Sequence, residues 1–97
     1  MATYVSLMKL TDQGMRNIKD AGKRIEVAKH AIASAGGKWL GFYMVTGEYD
    51  YVCITEFPND EAGVAFMLAL GAAGNVRTST MRAFTEAEFV QMISKLP

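Results

Sequence analysis

One cysteine and one histidine cannot close a disulfide or build a zinc site within a single chain, since these need a second thiol or several ligands. Neither a structural metal nor a cofactor is expected. An excess of one charge sign is also missing: ten Lys+Arg stand against ten Asp+Glu, for a formal net charge of zero. That balance removes the concentrated positive field of a dedicated nucleic-acid binder. No apolar run approaches the ~20 residues of a membrane span, and Met1 to Leu10 is too short and too polar for a signal peptide. A cytoplasmic setting with no membrane partner is the resulting expectation. A glycine-rich phosphate loop, a Ser/His/Asp arrangement, internal repeats and linkers are absent as well. Gly71-Ala72-Ala73-Gly74 ends a helix, which is the wrong dipole end for phosphate.

What is present suits one globular domain over residues 1–97, because 51% of the residues are hydrophobic and 21% charged. Thr3 to Leu10, rich in β-branched and aromatic residues, predicts a strand that stops at Thr11-Asp12. Ile18, Ala21, Ile25, Ala28, Ile32 and Ala35 recur in steps of three and four, which predicts a helix from about Asp12 to Ala35, closed by Gly36-Gly37. Gly22 lies inside it and predicts a kink or a close contact near Asp20 to Gly22. Lys38 to Thr46 and Tyr49 to Phe57 read as an antiparallel hairpin across Gly47-Glu48. Pro58-Asn59-Asp60-Glu61 then starts a helix that runs from Ala62 to Ala73 and stops at Gly74-Asn75. Val76 to Phe84 is the fourth strand. Thr85-Glu86-Ala87-Glu88 matches a capping box, and Phe89, Met92, Ile93 and Leu96 form the apolar stripe of a last helix.

Strand, helix, strand, strand, helix, strand is the order of the ferredoxin-like βαββαβ sandwich, an α+β fold with both main helices on one face of an antiparallel sheet. A C-terminal helix follows. One sheet face is left bare, yet both alternating sets in the two hairpin strands are apolar or aromatic, where a solvated face would alternate to charge. A second copy of the chain, or the last helix, is expected to cover it. The helix from Ala62 to Ala73 points the same way, having almost no polar side. By strand parity, Asp50, Val52 and Ile54 fall on the helix-covered face. Tyr4, Trp39, Tyr43, Tyr51 and Phe57 fall on the bare one.

At the hairpin the chain reads Thr46-Gly47-Glu48-Tyr49-Asp50-Tyr51-Val52, and there it resembles the GYD domain family. Tyr4-Val5-Ser6-Leu7, Gly36-Gly37-Lys38-Trp39 and Val76-Arg77-Thr78-Ser79-Thr80 extend the resemblance over nearly the whole chain. It implies a dimeric α+β barrel, in which two ferredoxin-like units set their sheets face to face. It implies no particular activity.

Two constellations could carry chemistry. In Gly47-Glu48-Tyr49-Asp50, glycine permits a tight turn, and Asp50 beside Tyr49 could act as a general base next to a phenol; alternatively, Asp50 bonds backbone amides of the hairpin. The aromatic group around Trp39, Tyr43 and Tyr51 could bind a flat organic ligand, or could simply be a packed interface. His30 lies on the side of Arg16, Lys19 and Lys23, opposite the apolar stripe, and reads as solvated. These residues sit in a basic half: residues 1–48 hold seven Lys+Arg and four Asp+Glu, against three and six in residues 49–97. Cys53 reads as a small buried residue with no group placed to activate it.

The resulting expectation is a homo-oligomeric small-molecule-binding or assembly protein. Any pocket would take a small apolar or aromatic molecule near Trp39, Tyr43, Tyr51 and Asp50. The alternative is a cofactor-free enzyme of monooxygenase or isomerase type, with Asp50 or Tyr49 as base and Tyr43 as hydrogen-bond donor.

Overall fold

Alternation in Ala2–Leu10 sets the architecture: Tyr4, Ser6 and Met8 are buried, while Val5 and Leu7 between them stay half-exposed. In the computed structural model, which describes residues 1–97, this strand (β1) is central. Strand β2 (Lys38–Met44), β3 (Tyr51–Phe57) and β4 (Val76–Ala83) complete a sheet of order β2-β3-β1-β4 with every neighbouring pair antiparallel. Helices α2 (Ala21–Ser34) and α3 (Asp60–Ala73) are the two crossovers, and they cover one face. The arrangement is the expected ferredoxin-like α+β sandwich.

Helix ends follow local chemistry. Asn59 caps α3 by accepting the Ala62 amide at 2.9 Å, and Asp60 and Glu61 complement the positive end of its dipole. The capping box forms as expected ahead of α4 (Glu86–Ile93), with Thr85 and Glu88 satisfying each other's amides at 3.0 and 3.1 Å.

The first helix is not continuous. A short α1 (Asp12–Arg16) ends at Asn17, a 3-10 turn covers Ile18–Asp20, and α2 begins at Ala21. The break lies just before Gly22, and the Asn17 carbonyl, which accepts the Asp20 amide at 3.0 Å, also accepts the guanidinium of Arg24 at 2.8 Å. Ile18 therefore leaves the apolar stripe and is exposed.

The core lies between sheet and helices. Tyr4 meets Phe57 edge-on with ring centres 6.0 Å apart, Phe57 meets Phe66 of α3 at 5.6 Å, and Ile32 of α2 is fully buried beside them. Full burial of Ile32 and Phe57 is worth roughly 1.5–3 kcal/mol each.

The face assignment made from parity is reversed. Tyr4, Tyr51, Cys53 and Phe57 face the helices, whereas Val5, Leu7, Val52 and Ile54 line the bare face. Alternation says which residues share a face, but both sets here are apolar, so hydropathy could not say which set the helices cover. Trp39 and Tyr43 are moreover on different faces, because the register shifts between Trp39 and Gly41: Trp39 pairs with Thr55, and Gly41 with Ile54. The extra residue, Leu40, reverses the parity of the rest of β2.

Candidate functional site

Alanines decide the shape of the helix-covered side. Ala28 and Ala31 on α2 and Ala69 on α3 are too short to bridge the space between the helices, and a cleft of about 410 Å³ opens between them above the sheet. The β2 bulge puts Trp39 and Phe42 together on its floor, stacked with ring centres 5.7 Å apart and 18° between planes. Tyr51 continues the group at 4.9 Å from Phe42. Cys53 also lines the floor, and burial pushes its thiol up to about 11, so it stays a neutral apolar group near pH 7. Lys23, Arg24, Asp20 and Asn75 are the polar members of the lining.

Of the residues singled out from the sequence, Trp39 and Tyr51 line this cleft. Tyr43 does not: it stands on the bare face, 60% exposed, with its ring against Gly41. Tyr4 and Phe57 belong to the core. His30 is on the exposed side of α2. Tyr49 is half-buried in the hairpin loop with the Lys9 ammonium 5.3 Å from its ring centre.

Asp50 sits where three chain segments meet. Its amide donates to the Met8 carbonyl at 2.8 Å, its carbonyl accepts from Val45 at 2.8 Å, and its carboxylate accepts the Leu10 amide at 2.8 Å. The side chain thus extends the β1 ladder where the hairpin loop turns away, and Gly47 makes that turn at a φ of +102°. It is the loop, not strand parity, that positions Asp50, since β2 ends at Met44 and β3 begins at Tyr51.

Sequence reasoning missed a polar cluster at the other end of the sheet. The Tyr4 hydroxyl donates to Asp60, and the Arg82 guanidinium lies 4.0 Å from the same carboxylate and 4.6 Å from the Phe84 ring centre. The hydrogen bond to Asp60, then burial, then the Asp60 charge raise the Tyr4 hydroxyl above its usual value, with Arg82 opposing. Partners 56 residues apart leave no local signal.

The bare face is the second surface. Val5 pairs with Ile54 and Met81, Leu7 with Val52, and Val52 with Tyr43, which makes a continuous apolar patch across four strands. All residues from Phe84 to Pro97 are exposed, so α4 does not cover it.

A four-stranded antiparallel sheet with helices on one face and an apolar second face defines a protein of the ferredoxin-like α+β class. Within that class the chain belongs to the GYD domain family, whose model matches residues 4–93. It is 31% identical over 91 residues, 93% of this chain and 96% of the other, to a Thermus thermophilus protein named glutamine synthetase and cystathionine beta-lyase binding protein. Its fold is similar to that of a feast or famine regulatory protein from M. tuberculosis complexed with L-methionine, with a TM-score of 0.65 and 19% identity. The similarity takes in 88% of this chain and 51% of the regulator, so the chain spans about half of that protein. A hypothetical protein from Pyrococcus horikoshii is similar over 89% of this chain and 93% of its own, with a TM-score of 0.57 and 22% identity. No helix of the chain is long and apolar enough to cross a membrane.

Proposed function

We propose that the chain is a cytoplasmic homo-oligomeric binding protein: two copies join through the bare faces of their sheets, and the assembly docks on larger metabolic enzymes. The apolar second face carries this reading. Burying the remaining exposed surface of Val5, Leu7, Tyr43, Val52, Ile54 and Met81 would yield on the order of 1 kcal/mol for each side chain. Association costs about 4–15 kcal/mol, so the sheet face alone makes a marginal dimer. Helix α4 supplies what is missing. An isolated helix shorter than ~12 residues is marginal in water, yet this 8-residue helix has a stripe of Phe89, Met92 and Ile93 with no cover in its own chain, and Leu96, expected in the stripe, lies exposed just beyond the helix end. Packed on the second copy, that stripe adds to the interface and stabilises the helix.

The choice of partner is supported by the relative named for binding glutamine synthetase and cystathionine beta-lyase, which matches nearly end to end. The outer side of α3, where Val64 and Leu68 are 55% and 69% exposed, offers such partners an apolar surface distinct from the sheet. Biolayer interferometry with immobilised chain and purified glutamine synthetase or cystathionine beta-lyase tests this. Saturable binding to either enzyme, weakened by Leu68→Glu, is expected. Absence of binding to both overturns the docking reading.

A further inference from the structure

We propose that the cleft between α2 and α3 is a binding site for a flat aromatic molecule that carries a single carboxylate or similar anionic group. Its volume, about 410 Å³, falls within the ~300–1,000 Å³ of small-molecule sites. Chemistry within the cleft is divided. The floor is aromatic: Trp39 and Phe42 lie nearly parallel and Tyr51 flanks them, so a flat ring system can continue the stack. Ala28, Ala31 and Ala69 keep the walls short between Ile25, Val27, Phe66 and Leu70, which leaves room for a planar body.

The mouth is cationic. Lys23 and Arg24 line it against one carboxylate, Asp20, and neither cation is in an ion pair. Arg24 is held in place by its bond to the Asn17 carbonyl at 2.8 Å and keeps its other guanidinium donors for a ligand. Asn75 also lines the cleft, with its side-chain oxygen already accepting the Gln13 amide at 3.1 Å. An uncharged hydrocarbon would leave both cations unused, and a cation would meet them. An aromatic anion answers floor and mouth together. The inference concerns the helix-covered face and is independent of what the bare face binds.

Trp39 is the only tryptophan and lies on the cleft floor, so its emission reports occupancy directly. The wild-type chain is titrated with 1-anilinonaphthalene-8-sulfonate and with uncharged N-phenyl-1-naphthylamine. Both are expected to quench Trp39 by energy transfer, the sulfonate with the higher affinity. Ala69→Phe, which fills the cleft, is expected to weaken both by about tenfold or more. Lys23→Glu combined with Arg24→Gln, at the rim and outside the core, is expected to weaken the sulfonate by about tenfold and leave the neutral probe within about twofold. Probe fluorescence without Trp39 quenching, or with an affinity that Ala69→Phe does not change, places the probe on another surface and overturns the site. Equal loss of both probes in the charge variant overturns its anion selectivity, and should Ala69→Phe fail to fold, Trp39 quenching and the charge variant still decide the matter.

Discussion

The carboxylate of Asp50 accepts the backbone amide of Leu10 at 2.8 Å, so a side chain from the hairpin loop closes the last rung of the central strand. Its own amide holds Met8 and its carbonyl holds Val45. One residue thereby fixes the loop to both β1 and the end of β2.

Asp50→Ala removes an ionised acceptor from that amide and is expected to destabilise the chain by about 2 kcal/mol. Asp50→Asn keeps an oxygen in place and should cost less than about 1 kcal/mol. Urea denaturation followed by far-UV circular dichroism measures both. Equal losses would mean that the charge, not the hydrogen bond, matters.

Tyr4→Phe removes the bond to Asp60 and is expected to cost about 1 kcal/mol at pH 7. The folded chain holds the Tyr4 proton more tightly than the unfolded one, whose hydroxyl titrates near 10.0. That stabilisation is complete below the unfolded value and is lost as pH rises through the higher folded one. The stability gap between wild type and Tyr4→Phe should therefore narrow above pH 10. A gap that widens there contradicts the assignment.

Gly14→Ala sets two effects against each other. Alanine gains about 1 kcal/mol of helix propensity, but its methyl would collide with the Asn75 carbonyl, which accepts the Thr11 amide at 3.0 Å, and with the Leu10 side chain. The obstruction includes backbone, so overpacking at about 1–3 kcal/mol should win. A net loss of about 1 kcal/mol in thermal or urea unfolding is expected.

The Thr85 amide and hydroxyl hold Glu88 below its usual value of 4.5. Its contribution to α4 is present above the unfolded value and is lost as pH falls through the lower folded one. Helical signal at 222 nm should decline through this acid range, and Thr85→Ala should lower it at neutral pH and flatten the decline. A helical signal unaffected by Thr85→Ala would show that the cap does not hold α4.

Element order and helix ends were legible because capping residues, turn glycines and β-branched runs act locally: Asn59, Thr85 and Gly47 do what their chemistry suggests. Two failures were local as well. One inserted residue at Leu40 separates Trp39 from Tyr43, and apolar spacing carries straight across the break at Asn17. The cleft was only half legible. Trp39 and Tyr51 announce an aromatic surface, but Ala28, Ala31 and Ala69 create the space by being small, and they read as ordinary helix formers. The Tyr4–Asp60–Arg82 cluster depends on tertiary contact alone.

Sedimentation equilibrium of the wild-type and Ile54→Asp chains at micromolar concentration tests the bare-face interface most directly. Ile54 lies at the centre of the patch, paired with Val5 on one side and Gly41 on the other. Wild type should sediment as a dimer or larger multiple of 10.6 kDa, and Ile54→Asp as a folded species of lower mass. A wild-type chain that sediments only at 10.6 kDa, or an assembly indifferent to Ile54→Asp, would contradict it.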